Sequence, residues 1–166
     1  MADQKRTGLI WDSPIRAFHW LLVANTIICF LTGDDDHWAL AHITAGYSIL
    51  VLLVFRIIWG ICGTPYARFN NFIKGPRLVA RYLQSLALGR PIHFDGHNPA
   101  GAIGIIGLLI LGFLVTISGI LMYEDAPLKG IESLHEIASD SLLYLIGFHI
   151  LAVITSSLLH RENLVA

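Results

Sequence analysis

Charge is what this chain has least of. Asp, Glu, Lys and Arg make up 14% of its 166 residues, against 55% hydrophobic residues, and the mean hydropathy is +0.65. A soluble domain of this size carries about a quarter charged residues, so lipid is the solvent this composition fits. The net charge of −1 gives no sign of a nucleic-acid partner, and none is expected. Cysteine is nearly absent. Cys29 and Cys62 fall near opposite ends of their apolar runs, which argues against a disulfide. Neither sits in a CxxC or CxxCH motif, so covalent c-type haem attachment is not indicated. No cleavable leader is expected either, because polar residues and Asp12-Ser13-Pro14 precede the first apolar run without a small-residue cleavage site.

Long apolar runs are what the sequence does have. Four stand out, at about 15–31, 38–61, 99–122 and 134–159. Roughly 20 helical residues cross a hydrocarbon core, so the expected fold is all-α. It is a transmembrane four-helix bundle forming a single membrane-embedded domain over residues 1–166. The first run is slightly short but carries aromatics and Arg16 suited to the interface. Gly33-Asp34-Asp35-Asp36 ends it, Thr64-Pro65 stops the second, and Asn98-Pro99 opens the third with proline at the first helical position. Within the long connection, residues 78–83 predict a short amphipathic helix lying on the membrane.

Lys and Arg set the orientation. Lys5, Arg6, Arg16, Arg56, Arg68, Lys74, Arg77, Arg81, Arg90 and Arg161 fall on one side of four alternating spans. Lys129 falls on the other, so ten of the eleven basic residues share a side. The positive-inside rule makes that side cytoplasmic, and a bacterial inner membrane with both termini inside is expected. The outer side holds Asp34, Asp35, Asp36, Glu124, Asp125 and Glu132.

Four of the eight histidines, His19, His42, His135 and His149, lie within or at the edges of the spans. Ionisable side chains there are costly and mark function. Depth pairs His19 with His149 towards the cytoplasm, the looser match of the two, and His42 with His135 towards the outside. Each pair offers one imidazole from each of two helices, as a bis-histidine haem sandwiched in a bundle requires. His135 and His149 are 14 residues apart, close to four turns, so one helix face can hold two ligands about 21 Å apart. Two b haems are the expected cofactors. Zinc would want its ligands clustered at one depth, and the sequence has no HExxH motif.

Arg56 follows His42 by the same 14 residues. It can pair with an anionic haem propionate or snorkel to the interface. Gly46, one turn after His42, can admit a flat macrocycle or serve plain helix packing. Gly101, Gly104 and Gly107 read as close helix packing. His97 can line a quinone site or simply begin the third span. His37, His93 and His160 read as solvated, and Trp11, Trp20, Trp38 and Trp59 as an aromatic belt.

The segment Trp11-Asp12-Ser13-Pro14-Ile15-Arg16-Ala17-Phe18-His19-Trp20 resembles the first-span signature of the bacterial cytochrome b561 and nickel-iron hydrogenase b-type cytochrome superfamily. Ala41-His42-Ile43-Thr44-Ala45-Gly46-Tyr47 resembles its second span, Gly96-His97-Asn98-Pro99 the opening of its third, and Leu134-His135-Glu136 with Gly147-Phe148-His149 its fourth. The resemblance covers nearly the whole chain. It implies a dihaem membrane core with His19 paired to His149 and His42 to His135. It also implies electron exchange between quinone and a periplasmic partner, either a c-type cytochrome or another redox subunit. One branch of the superfamily oxidises superoxide and reduces quinone. The other anchors a periplasmic hydrogenase, and from that branch this chain departs in its short first outer loop and brief C-terminal tail.

The expected function is therefore dihaem electron transfer between a periplasmic redox partner and the membrane quinone pool. The alternative is a haem-bearing anchor subunit of a larger redox complex. A proton-relaying transporter is a third reading, but no inverted repeat or broken helix pair supports it.

Overall fold

The structure, a computed structural model, describes residues 12–65, 67–72, 75–88, 99–125 and 127–160. Expectations resting on Lys5, Arg6, Trp11, Lys74, Arg90, His93, His97 and Arg161 lie outside these residues. The described chain contains α1 (Ser13–Thr32), α2 (Ala39–Cys62), α3 (Phe69–Phe72), α4 (Pro76–Ala87), α5 (Pro99–Tyr123) and α6 (Ile131–His160), with one 3-10 turn at Asp36–Trp38 before α2. Four of these helices, α1, α2, α5 and α6, are long and apolar enough to cross a membrane. Helices satisfy their own backbone hydrogen bonds, which a hydrocarbon environment demands.

Local chemistry sets the helix ends. The Asp12 carboxylate caps α1 by accepting from the Ile15 N–H at 2.9 Å, and Pro14 occupies the first turn, where its missing N–H costs nothing. Asp35 caps the 3-10 turn by accepting from the His37 N–H. Gly63 closes α2, its N–H bonding to the Trp59 carbonyl. Gly130, at φ +80°, makes the left-handed turn from which α6 starts. The N-terminal caps extend two spans beyond their apolar cores, so α1 begins at Ser13 and α6 at Ile131 rather than near 15 and 134.

The spans form an arc in the order α1, α2, α5, α6. Neighbours in that order pack on each other, while α6 makes little contact with either α1 or α2 among the described residues. The core follows α2, whose buried residues Ala45, Ile49, Leu53, Arg56 and Gly60 recur every three or four positions on one face. Leu53 lies at its centre, 2% exposed. A Cβ at Gly112 of α5 would come within 3.2 Å of it, so α5 approaches closely there. The outer faces carry large apolar side chains such as Leu31, Val51, Tyr144, Phe148 and Leu158, as lipid-facing helices do. The short amphipathic helix of the long connection is α4. It packs on α5 and buries Val79 and Tyr82, while Arg77 and Arg81 stay exposed.

The glycines of α5 divide. A Cβ at Gly107 would lie 3.1 Å from Leu145 of α6, which is close packing. Gly104 faces open space, as does Gly46 of α2. Both are half-buried.

Candidate functional site

Asp34, Asp35, Asp36, Glu124 and Asp125 mark one end of the bundle, and Arg56, Arg68, Arg77 and Arg81 mark the other. These are called the acidic and basic ends below.

At the acidic end, His42 of α2 and His135 of α6 face each other across the gap. Their ring centroids are 6.3 Å apart and their planes cross at 72°. Two imidazoles sharing a first-row metal, each bound through nitrogen at about 2 Å, place their ring centres about 6 Å apart. The Nδ1 of His42 lies 3.0 Å from the Cys29 carbonyl oxygen, and the Nδ1 of His135 lies 3.0 Å from the Val115 carbonyl oxygen. A carbonyl only accepts, so each Nδ1 carries the proton. Each Nε2 is then left with its lone pair for a metal, the arrangement in which an outer hydrogen bond fixes the tautomer of a ligating histidine.

Besides Val115, sequence reading missed three residues that hold this pair. Ser118 is 2% exposed; its hydroxyl donates to the Val115 carbonyl and lies 3.1 Å from His135 Nδ1. Gly119 must lack a side chain, because a Cβ there would meet His135 Cε1 at 2.9 Å. Cys29 supplies the carbonyl for His42, and its thiol lies 3.7 Å from the His42 carbonyl. Only the glycine could have been suspected from sequence, since a glycine within a span marks a close approach.

At the basic end, His149 lies within electrostatic reach of His19. The basic-end rings are held differently. His19 is exposed and meets Trp20 edge-on at 5.6 Å. No hydrogen bond fixes either ring among the described residues.

Arg56 does not snorkel. It is 6% exposed, donates to the Ala67 carbonyl at 3.2 Å and lies over the Phe69 ring at 4.8 Å. Trp59 is more than a belt residue. Its ring stacks on Phe55, and its Nε1–H donates to Asp12 Oδ2 at 3.0 Å. Trp20 and Trp38 are exposed, in keeping with a belt.

Among the described residues no three His, Cys, Asp or Glu side chains converge. A metal held by one of these pairs therefore has to bring further donors of its own. A porphyrin does so, supplying four equatorial nitrogens and leaving two axial positions for imidazole. The open space beside Gly46 and Gly104 and the unsealed side of the arc leave room for a flat macrocycle.

The chain is similar to the "Probable Ni/Fe-hydrogenase 1 B-type cytochrome subunit" of Escherichia coli K12, at 24% identity over 75% of this chain and 63% of that protein. It is also similar to the "Probable Ni/Fe-hydrogenase B-type cytochrome subunit" of Azotobacter vinelandii, at 19% identity over 98% of this chain and 87% of that one. The chain thus spans a little under two thirds of the length of the Escherichia coli relative. No solved structure matches. The family described as prokaryotic cytochrome b561 matches residues 10–166, nearly the full length. The chain belongs to the prokaryotic cytochrome b561 family and is a multi-pass membrane cytochrome of the b type.

Proposed function

We propose that this chain holds two b haems and passes electrons between a redox partner on the periplasmic side of a bacterial inner membrane and the membrane quinone pool. The single observation that carries the reading is the His42–His135 pair. Two imidazoles from different helices have centroids 6.3 Å apart, and both Nδ1 atoms are committed to backbone carbonyls. His42 and His135 are the proposed axial ligands at the acidic, periplasmic end, and His19 and His149 those at the basic, cytoplasmic end. Arg56 is the proposed cation beside the cytoplasmic haem.

The haems supply reversible one-electron chemistry when bound. The chain's residues do the rest. The carbonyls of Cys29 and Val115 hold the ligand rings in one tautomer and orientation. With an imidazole from each of two helices, each pair would hold a haem iron with no position left open for oxygen, which suits electron transfer. The span length of α6 separates the two sites along the membrane normal.

Purified protein should show b-type bands in a reduced-minus-oxidised spectrum and close to two haems per chain. His42→Ala and His149→Ala should each remove one haem, and the wild type should reduce a quinone analogue when given electrons. Absence of b bands, or retention of both haems in these variants, would sink the reading. A second reading is a membrane subunit of a larger redox complex, favoured by the two named hydrogenase relatives. Extraction in mild detergent separates the two, since a lone chain competent in quinone reduction argues for the first.

A further inference from the structure

The carboxylate of Asp12 collects hydrogen bonds from three parts of the chain. Oδ1 accepts from the Ile15 N–H of its own helix at 2.9 Å. Oδ2 accepts from Trp59 Nε1–H near the end of α2 at 3.0 Å, and from the Thr64 hydroxyl just beyond that helix at 2.6 Å. These partners lie 47 and 52 residues away in sequence. Around them an aromatic run, Trp59 on Phe55 at 5.7 Å and Phe55 near Phe18 at 6.2 Å, packs α2 against α1. Arg56 adds a favourable charge interaction with the carboxylate. The guanidinium is itself anchored to Ala67 and Phe69, beyond the end of α2.

His19 follows Asp12 by seven residues, close to two helical turns, so it rides on the same short piece of α1 that the carboxylate pins. This matters because α1 makes little contact with α6, the helix that carries His149. Packing across the gap cannot set the height or rotation of His19. No hydrogen bond fixes the His19 ring among the described residues, so its place depends on how α1 is anchored.

We propose that Asp12 is a positioning residue for the basic-end haem: its carboxylate latches the start of α1 to the end of α2 and so fixes where His19 presents its imidazole. This inference rests on the reading of His19 and His149 as ligands of a second haem. The charge also counts. Asp12 offsets Arg56 within the basic end, and removing the anion leaves a buried cation beside the same haem. An uncompensated cation favours the reduced form. The acidic-end pair has its own carbonyl anchors and does not depend on the latch.

The test is a redox titration of purified protein with haem counting, comparing the wild type with His19→Ala, Asp12→Asn, Trp59→Phe and Thr64→Val. His19→Ala identifies the basic-end component by its disappearance. Asparagine keeps the size of the aspartate but turns one acceptor into a donor that faces the Trp59 and Thr64 donors. Asp12→Asn is expected to lose that component, or to shift its reduction equilibrium at least tenfold, about 59 mV for one electron, with the other component unchanged. Trp59→Phe and Thr64→Val each remove one donor and should shift the same component by less. Two unshifted components in Asp12→Asn would overturn the proposal, as would equal disturbance of both. Should Asp12→Asn fail to accumulate, unshifted components in both single-donor variants overturn it, and a selective basic-end shift in either supports it. A wild type with fewer than two b components fails the dihaem reading itself. A wild type with two, and an Asp12→Asn indistinguishable from it, fails the latch alone.

Discussion

The two histidine pairs are built on different principles. At the acidic end both rings are held directly, with Nδ1 atoms on backbone carbonyls and centroids 6.3 Å apart. At the basic end neither ring has such a lock among the described residues, His19 is exposed, and on our proposal its order comes from the Asp12 contacts two turns away. The first site is preorganised by its immediate neighbours. The second is held at one remove, through the anchoring of a helix.

The largest expected effect breaks one site and spares the other. His135→Ala should take haem content from two per chain to one, leaving the component that His149→Ala removes, as read by haem extraction and spectroscopy. Next is Gly119→Val. A Cβ already meets His135 at 2.9 Å, so the ring must move, and overpacking costs about 1–3 kcal/mol, or roughly 5- to 150-fold in haem affinity at the acidic end. Haem titration of the apoprotein would measure it, and the basic-end affinity should hold.

A third effect is pH-dependent and falls on the other site. Burial alone would raise the Asp12 carboxyl, but hydrogen bonds from Thr64, Ile15 and Trp59, with Arg56 nearby, outweigh it and hold its pKa below the ordinary carboxylate value. A depressed folded-state pKa means the latch contributes fully above about pH 4 and is lost as pH falls through the lowered value. On acidification the basic-end component should therefore change in step with Asp12 protonation, and Asp12→Asn should abolish that step. The smallest effect is Ser118→Ala. Val115 still accepts from His135, so the acidic-end haem should remain bound, its reduction equilibrium moving less than tenfold in a redox titration.

Much of this comparison was legible in the sequence. Four apolar runs gave the spans, and the cost of burying an imidazole in lipid singled out the four histidines. The anchors were not legible. The proton acceptors for His42 and His135 are main-chain carbonyls of Cys29 and Val115, which no side-chain pattern announces. Trp59 looked like a belt residue because its partner, Asp12, lies 47 positions away. Arg56 was singled out, but its burial against Phe69 depends on a loop whose path the sequence does not encode in any simple period.

The continuous helix α6 carries one histidine of each pair, which turns the spacing between sites into a reading frame. One inserted residue between His135 and His149 would swing the later imidazole by about 100° and lower it by about 1.5 Å. Seven would restore the face and lengthen the gap by about 10 Å. Surface loops in general tolerate length change, but between these two positions length is counted in whole pairs of turns.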